Sequence, residues 1–263
     1  MSTTLATPPM VLSPAQLEQY RDEGFLIVRQ VFSPFEIATV VLEAERLLER
    51  RELIDTQNIR CRWQPHVVTE ECLFETFDPV IDIGPVCGLL ARDPRILNIL
   101  GDVYGEPACL FKDKLIFKPP GAKGYDMHQD YIGWKDFPRS FITVLVPIDA
   151  CDRDNGCTEV FPGCHRQGYL CPEDGDYHPT PAGAVDETTG VAMELQPGDI
   201  ALFGAFTPHR SAPNRSTGWR RQLYLSYNAH SDGGERRDAH YREFHAWLKV
   251  KYAEYGKHDV YFR

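Results

Sequence analysis

Apolar and polar positions divide the chain into a helical first part and a strand-rich remainder. Ser13-Pro14-Ala15-Gln16 and Ser33-Pro34-Phe35-Glu36 each combine a capping hydroxyl, a proline at the first helical position and Gln or Glu three residues after the cap, which is how many helices begin. Apolar residues recur at helical spacing from Ile37 to Leu53, and Asp93-Pro94-Arg95 starts another helix. The short apolar run Gly24 to Val28 is predicted to be a buried strand.

Strands are predicted to dominate from about residue 106. The runs Cys109 to Lys118, Phe141 to Ile148, Ile200 to Phe206 and Arg220 to Asn228 have strand character, and Asp154-Asn155-Gly156 supplies the turn chemistry of a hairpin. Short strands, turn signals and flanking helices together predict a mainly β fold with a double-stranded β-helix core, a jelly roll of the cupin type.

The chain shows no composition break, so we expect a single domain over residues 1–263. Within it we expect a flexible segment 1–10, a mostly helical support 11–105, the jelly-roll core 106–230 and a C-terminal helix 235–256.

Charge and cysteine usage narrow the possible partners and location. The formal charge of −10 argues against a nucleic-acid surface and against acidic membranes. No apolar stretch is long enough to span a bilayer, and the first ten residues lack signal-peptide features. The eight cysteines form no C-x-x-C pair, so we expect free, mostly buried thiols, with a bridge within 151–171 as the alternative. These features predict a cytoplasmic monomer or homodimer that acts on a small molecule.

A metal site is indicated by His128 and Asp130, which point to the same side of an extended segment because strand side chains alternate. A second imidazole from His209 would complete the two-histidine, one-carboxylate face of non-haem Fe(II) oxygenases. Chance alone should place an H-x-D triplet in roughly one chain in four of this length. The evidence for a metal site therefore depends on a second cluster of residues, around His209.

That second cluster indicates a site for a small carboxylate beside the metal. Ser211 shares a strand face with His209, and Arg220 follows eleven residues after His209. An arginine grips a carboxylate through a two-pronged fork, with a hydroxyl as a further donor. One face of the strand that begins at Arg220 is polar throughout, as suits a cavity lining; it carries Arg220, Gln222, Tyr224, Ser226 and Asn228.

The ordered motifs resemble the signature of phytanoyl-CoA-hydroxylase-like Fe(II)/2-oxoglutarate dioxygenases, from about Leu12 to about Tyr241. They are H-Q-D at 128–130, N-G at 155–156, P-G-C-H at 162–165, P-G-D at 197–199 and H-R-S-A-P-N-R-S from 209, followed by Arg220. Cys164 departs from the serine usual in that turn. The resemblance implies that His128, Asp130 and His209 hold iron, and that Arg220 and Ser211 hold the distal carboxylate of 2-oxoglutarate. It also implies that O2 is consumed and that succinate and CO2 are released.

Further contacts are predicted around this centre. Lys112, Lys114 and Lys118 alternate along one strand, and solvent exposure is their default interpretation. The alternative is that Lys112 or Lys114 reaches 2-oxoglutarate or an acidic substrate. We predict Lys112 and Thr143 as additional cofactor contacts. The substrate candidates are Lys114, Tyr131, Trp134, Arg139 and Asn228.

The substrate is predicted to be a small polar metabolite, because the segment 209–234 resembles the bacterial branch that hydroxylates aminoalkylphosphonates such as 2-aminoethylphosphonate. A tailoring step on an antibiotic or other secondary metabolite is the runner-up. Two further alternatives are a cupin-like protein that binds metal without turnover and a metal-dependent hydrolase. Arg220 argues against a pure metal binder, because such a protein needs no carboxylate clamp. A hydrolase would need a general base near the metal, and the sequence shows no candidate for one.

Overall fold

The computed structural model describes residues 10–254 except 57, 135 and 176, with the backbone alone for 251–254. The predicted flexible segment 1–10, apart from Met10, lies outside the described residues, as do positions 255 and 256 of the predicted C-terminal helix. The helices are α1 (Pro14–Glu23), α2 (Pro34–Glu49), α3 (Pro85–Leu90), α4 (Pro94–Tyr104) and α5 (Arg237–Glu254).

The predicted helix starts at Ser13 and Ser33 are both confirmed as capping boxes. Each serine hydroxyl accepts a hydrogen bond from the backbone N–H three residues on. The side chain of Gln16 or Glu36 accepts one from the serine N–H in return. Two N–H groups that a helix start leaves free are thereby satisfied, which fixes where α1 and α2 begin.

Eleven strands are seen in the described residues. They are β1 (Phe25–Val28), β2 (Cys61–Pro65), β3 (Cys72–Phe77), β4 (Ala108–Ile116), β5 (Tyr125–His128), β6 (Ile142–Pro147), β7 (Thr158–Val160), β8 (Val191–Ala192), β9 (Ile200–Gly204), β10 (His209–Ser211) and β11 (Gln222–Ala229).

The strands form two antiparallel sheets, a jelly-roll arrangement that confirms the predicted fold class. The larger sheet has the order β1-β9-β6-β11-β4-β3-β2, and the smaller has the order β5-β10-β7-β8. One face of the larger sheet carries residues such as Leu223 and Leu225, in the core cluster that includes helix residues such as Val40 and Leu100. Its other face contributes Leu145 and Phe203 to a second cluster that includes Val160 of the smaller sheet. The smaller sheet that this second cluster joins to the larger one carries His128 on β5 and His209 on β10.

The structure differs from the sequence prediction in the first third of the chain. The segment predicted as mostly helical support, 11–105, contains the predicted strand β1, and it also contributes two strands that were not predicted, β2 and β3, to the larger sheet. β2 and β3 have burial patterns without clean alternation, so they give no period-two signal. The 154–156 turn does not form the predicted hairpin, because β6 and β7 belong to different sheets.

The remaining expectations concern the thiols and the membrane. All eight cysteines are free, and five of them are buried, which confirms the prediction of free, mostly buried thiols. None of the described helices combines the length and the apolar character needed to cross a bilayer.

Candidate metal and co-substrate site

The three predicted metal ligands meet at the end of the smaller sheet. His209 of β10 pairs directly with His128 of β5, so their rings lie side by side with centroids 4.2 Å apart. Asp130, two residues beyond His128, brings Oδ1 to 3.8 Å from Nε2 of His209. One ligand atom from each of the three residues lies within 4.8 Å of the other two. A single metal ion can therefore bind all three.

In both imidazoles Nδ1 contacts a backbone carbonyl, which leaves Nε2 available to a metal ion. Nδ1 of His128 lies 2.8 Å from the carbonyl of Asp126, and Nδ1 of His209 lies 3.0 Å from the carbonyl of Thr207. A ring that donates Nδ1–H to a carbonyl keeps its Nε2 lone pair for a metal. Burial lowers the pKa of His128 to about 3 and also lowers the pKa of His209. Both rings are thus neutral near pH 7, which is the form that binds metals.

Thr143 orients the carboxylate ligand. Its hydroxyl donates to Oδ2 of Asp130 at 2.9 Å and lies 3.2 Å from the hydroxyl of Ser226, so Oδ1 is the atom directed toward His209. Burial acts to raise the pKa of Asp130, but His209 and Lys114 outweigh it and the pKa is lowered. The sequence predicted Thr143 as a cofactor contact; in the structure it contacts the carboxylate of Asp130, a predicted metal ligand.

Arg220 and Ser211, the predicted carboxylate clamp, are both buried. Arg220 is fully buried, with Nη1 donating to Gln222 and to the hydroxyl of Tyr224. Its Nε has no hydrogen-bond partner among the described residues. A buried guanidinium with an unused donor fits an incoming carboxylate, since leaving such a donor unpaired is costly. Ser211 follows His209 by two residues on β10 and therefore faces the same side.

The two strand lysines behave differently. Lys112 lies 3.2 Å from the carboxylate of Asp78 and over the ring of Phe244, 4.2 Å from its centroid, so its charge is already compensated. Lys114 lies over the ring of Tyr224, 5.0 Å from its centroid. It forms no salt bridge within the described parts of the chain, although its charge helps to lower the pKa of Asp130 and of Asp78. Both line a cavity of about 280 Å³ that includes His128 and Asp130.

Only one of the other substrate candidates lines that cavity. Trp134 does, with Nε1 donating to the carbonyl of Gly175. Tyr131 packs its ring against Phe206. Arg139 lies 3.5 Å from Glu173 and lines a different cavity. Asn228 donates its amide N–H groups to the carbonyls of residues 229, 232 and 234, so it braces a turn.

Several residues around the site were not predicted from the sequence. Lys118 is fully buried, and its ammonium donates to Ser211. Glu75 is fully buried and accepts a hydrogen bond from the hydroxyl of Tyr125. Tyr177, from the long 165–187 loop, brings its ring to 5.6 Å from that of His128. Of these, only Lys118 was named from the sequence, as one of three alternating lysines; its full burial contradicts the default interpretation of solvent exposure.

The chain belongs to the phytanoyl-CoA dioxygenase (PhyH) family, whose model matches residues 20–222. It is 35% identical over 154 residues to a methylphosphonate hydroxylase of Gimesia maris, a match that spans 57% of this chain and 56% of that protein. It is 34% identical to a 2-aminoethylphosphonate dioxygenase of an uncultured bacterium, over 85% of this chain and 84% of that one.

The fold is shared with solved dioxygenase structures. EctD from S. alaskensis in its apo form superposes with a TM-score of 0.71 at 22% identity, covering 88% of this chain and 82% of that one. Together these matches confirm the predicted family and fold, and they agree with a dioxygenase that depends on iron and 2-oxoglutarate.

Proposed function

We propose that this protein hydroxylates a C–H bond of a small phosphonate, using Fe(II), 2-oxoglutarate and O2. The balance is R–H + 2-oxoglutarate + O2 → R–OH + succinate + CO2. When bound, iron supplies the dioxygen activation that links oxidative decarboxylation of 2-oxoglutarate to insertion of oxygen into the substrate. His128, Asp130 and His209 would hold the metal, and Arg220 with Ser211 would hold the distal carboxylate. The buried Nε of Arg220, which has no hydrogen-bond partner in the described part of the chain, supports this second role and argues against a pure metal binder.

The protein's own contribution is to position groups and exclude water. The backbone carbonyls at 126 and 207 fix the imidazole tautomers, and Thr143 fixes the carboxylate. Aromatic side chains wall the cavity beside the metal ligands, namely Trp134, Phe137, Phe141, Phe244 and Trp247. Such a wall lowers the local dielectric and strengthens each charge interaction inside it.

The observation that carries the substrate assignment is Lys114, a cation that lines the cavity beside the metal ligands and forms no salt bridge with a carboxylate among the described residues. A phosphonate is a compact anion that an ammonium binds well. Two relatives are named for phosphonates, which agrees with this choice.

Cavity size bears on the runner-up, a tailoring step on an antibiotic. Sites for drug-sized ligands have volumes of roughly 300 to 1,000 Å³, and the cavity here is about 280 Å³. It favours a small substrate over a multi-ring one. The free thiols agree with the reducing cytoplasm that we propose as its location.

The test is to load the protein anaerobically with Fe(II), add 2-oxoglutarate and O2, and measure succinate together with hydroxylated product. The panel comprises methylphosphonate, 2-aminoethylphosphonate, amino acids, acyl-CoA esters and larger natural products. We expect coupled turnover with one or more phosphonates. Turnover restricted to acyl-CoA esters or bulky apolar compounds would exclude the phosphonate assignment.

A substitution refines this test. Lys114→Met keeps the length of the side chain and removes its charge, so we expect KM for the phosphonate to rise about 10- to 100-fold, as for a lost charged hydrogen bond. Lys123→Met, at an exposed lysine, is the matched control and should behave as wild type. Equal phosphonate KM values in the Lys114 variant and the control would remove Lys114 from the substrate site.

A further inference from the structure

Lys118 stands at the junction of the elements that carry the proposed co-substrate clamp. Its backbone carbonyl accepts hydrogen bonds from the N–H of Arg220 and from the side-chain amide of Asn214. Its ammonium donates to the hydroxyl oxygen of Ser211 at 3.0 Å and to the carbonyls of Gly156 and Ala212. One buried residue therefore contacts both members of the proposed clamp.

The N-G motif at 155–156 makes room for this ammonium. Gly156 has φ +72°, and a Cβ there would lie 2.7 Å from Nζ of Lys118 and 2.2 Å from the carbonyl oxygen of Ala212. Any side chain at 156 would displace the lysine or the 212 backbone. The glycine is thus part of the same arrangement.

The hydroxyl oxygen of Ser211 accepts two hydrogen bonds, which leaves its own proton free to donate. A protonated lysine has three N–H donors, and here the three acceptors are the two carbonyls and Ser211 Oγ. The backbone N–H of Tyr125 also donates to Ser211 Oγ, at 3.3 Å. A hydroxyl oxygen has two lone pairs, so both are used. Its own O–H remains free to donate to a bound ligand.

We propose that Lys118 is a positioning residue that turns the Ser211 hydroxyl into a donor for the distal carboxylate of 2-oxoglutarate. A neutral Lys118 would have two N–H donors, which the carbonyls would take, and a lone pair that accepts the Ser211 proton. The hydroxyl would then point away from the co-substrate. This inference rests on the proposed function, in which Arg220 and Ser211 receive 2-oxoglutarate.

The surroundings of Lys118 bear on its protonation. Burial, together with the neighbouring Arg220, lowers the pKa of Lys118 to about 7, and Glu75 opposes that shift. The other titratable groups that act on it are Cys151 and Cys157. A carboxylate bound at Arg220 adds a negative charge and raises the pKa of Lys118. Binding of 2-oxoglutarate should therefore take up a proton and weaken as pH rises above 7.

The experiment measures equilibrium binding by calorimetry to the full chain loaded with Zn(II), so that no turnover is involved. Two ligands are compared, 2-oxoglutarate and 2-oxopentanoate, which has the same length without the distal carboxylate. In wild type we expect 2-oxoglutarate affinity to fall by up to tenfold per pH unit above pH 7, with 2-oxopentanoate affinity much less affected. In Lys118→Met we expect the affinity for 2-oxoglutarate to be about tenfold lower or more, and the affinity for 2-oxopentanoate to stay within about twofold of wild type. The pH dependence of 2-oxoglutarate binding should disappear.

A second variant tests whether the effect acts through the hydroxyl. Ser211→Ala should weaken 2-oxoglutarate binding, and adding Lys118→Met to it should cost less than in wild type, because the two residues act as one unit. The proposal is wrong if Lys118→Met lowers the affinity for both ligands and for Zn(II) equally. It is also wrong if the binding free-energy changes of the two substitutions are fully additive, because Lys118 would then only hold the local structure together. The wild-type pH profile keeps the test decisive if the lysine variant fails to fold. Failure of Zn-loaded wild type to bind either ligand would instead count against the proposed function.

Discussion

Among single residues, Thr143 offers the sharpest test of how the carboxylate ligand is held. Thr143→Val keeps the shape and removes the hydroxyl that donates to Asp130. Outer contacts of this kind are worth about 10- to 100-fold in metal affinity, so we expect Fe(II) to bind about tenfold more weakly, measured by competition with a chelator.

Thr76→Val provides the matched control for Thr143. Thr76 is also buried on a strand, and its hydroxyl has no hydrogen-bond partner among the described residues. We expect this variant to bind Fe(II) as wild type does. Equal weakening in both variants would mean that the loss comes from general destabilisation of the larger sheet.

Individual residues also show what could be predicted from the sequence. His128 and Asp130 could be placed together because they lie in one triplet. His209 could be added because a second imidazole completes the ligand set and because the ordered motifs resemble a family signature. Lys118 could not, because simple alternation groups it with Lys112 and Lys114. In the structure β4 ends at Ile116 and Lys118 has φ +34°, which sends its side chain to Ser211.

Among secondary-structure elements, α5 closes one side of the proposed substrate cavity. Arg237 contacts Asp113 of β4 at 2.6 Å, and Tyr241 donates to Asp78 at 3.0 Å. On the same helix, His240 and Phe244 line the cavity, with their rings stacked and their centroids 5.5 Å apart. The sequence predicted this helix and its apolar side, but the ion pairs that dock it depend on contacts more than 100 residues away in the chain.

The docking of α5 should be sensitive to acid. Burial lowers the pKa of His240 to about 3, with Lys112 adding to the effect, whereas an unfolded histidine has a pKa of about 6.5. The unfolded state therefore binds more protons between these values, and stability is lost as pH falls below 6.5. One such group contributes up to about 1.4 kcal/mol per pH unit.

His240→Phe removes this proton linkage and keeps an aromatic ring. We expect its free energy of unfolding, from denaturant titration, to fall less steeply than that of wild type between pH 6.5 and 5, by about 1 kcal/mol per pH unit. His230→Gln, at an exposed histidine, is the control and should follow wild type. A His240→Phe slope equal to that of wild type would show that His240 does not titrate differently on unfolding.

For the whole molecule, metal and co-substrate binding should appear as stability, because both ligands bind only where the two sheets and their loops come together. A ligand at 100 times its Kd stabilises the folded state by about 2.7 kcal/mol, which for a chain of this size raises Tm by roughly 5–10 °C. We expect Zn(II) to raise the Tm of wild type by such an increment, and 2-oxoglutarate to raise the Tm of the Zn(II)-loaded protein by a second increment.

The variants should separate the two increments, since the ligands use different residues. His128→Ala or His209→Ala should lose both, because two protein ligands hold the metal poorly and the co-substrate then lacks its metal. Arg220→Ala should keep the Zn(II) increment and lose that of 2-oxoglutarate, with Arg242→Ala on the exposed side of α5 as an arginine control that keeps both. Scanning calorimetry of wild type and the four variants, with and without each ligand, measures both increments. Loss of the Zn(II) increment in Arg220→Ala, with the Arg242 control intact, would contradict this division between a metal face and a carboxylate clamp.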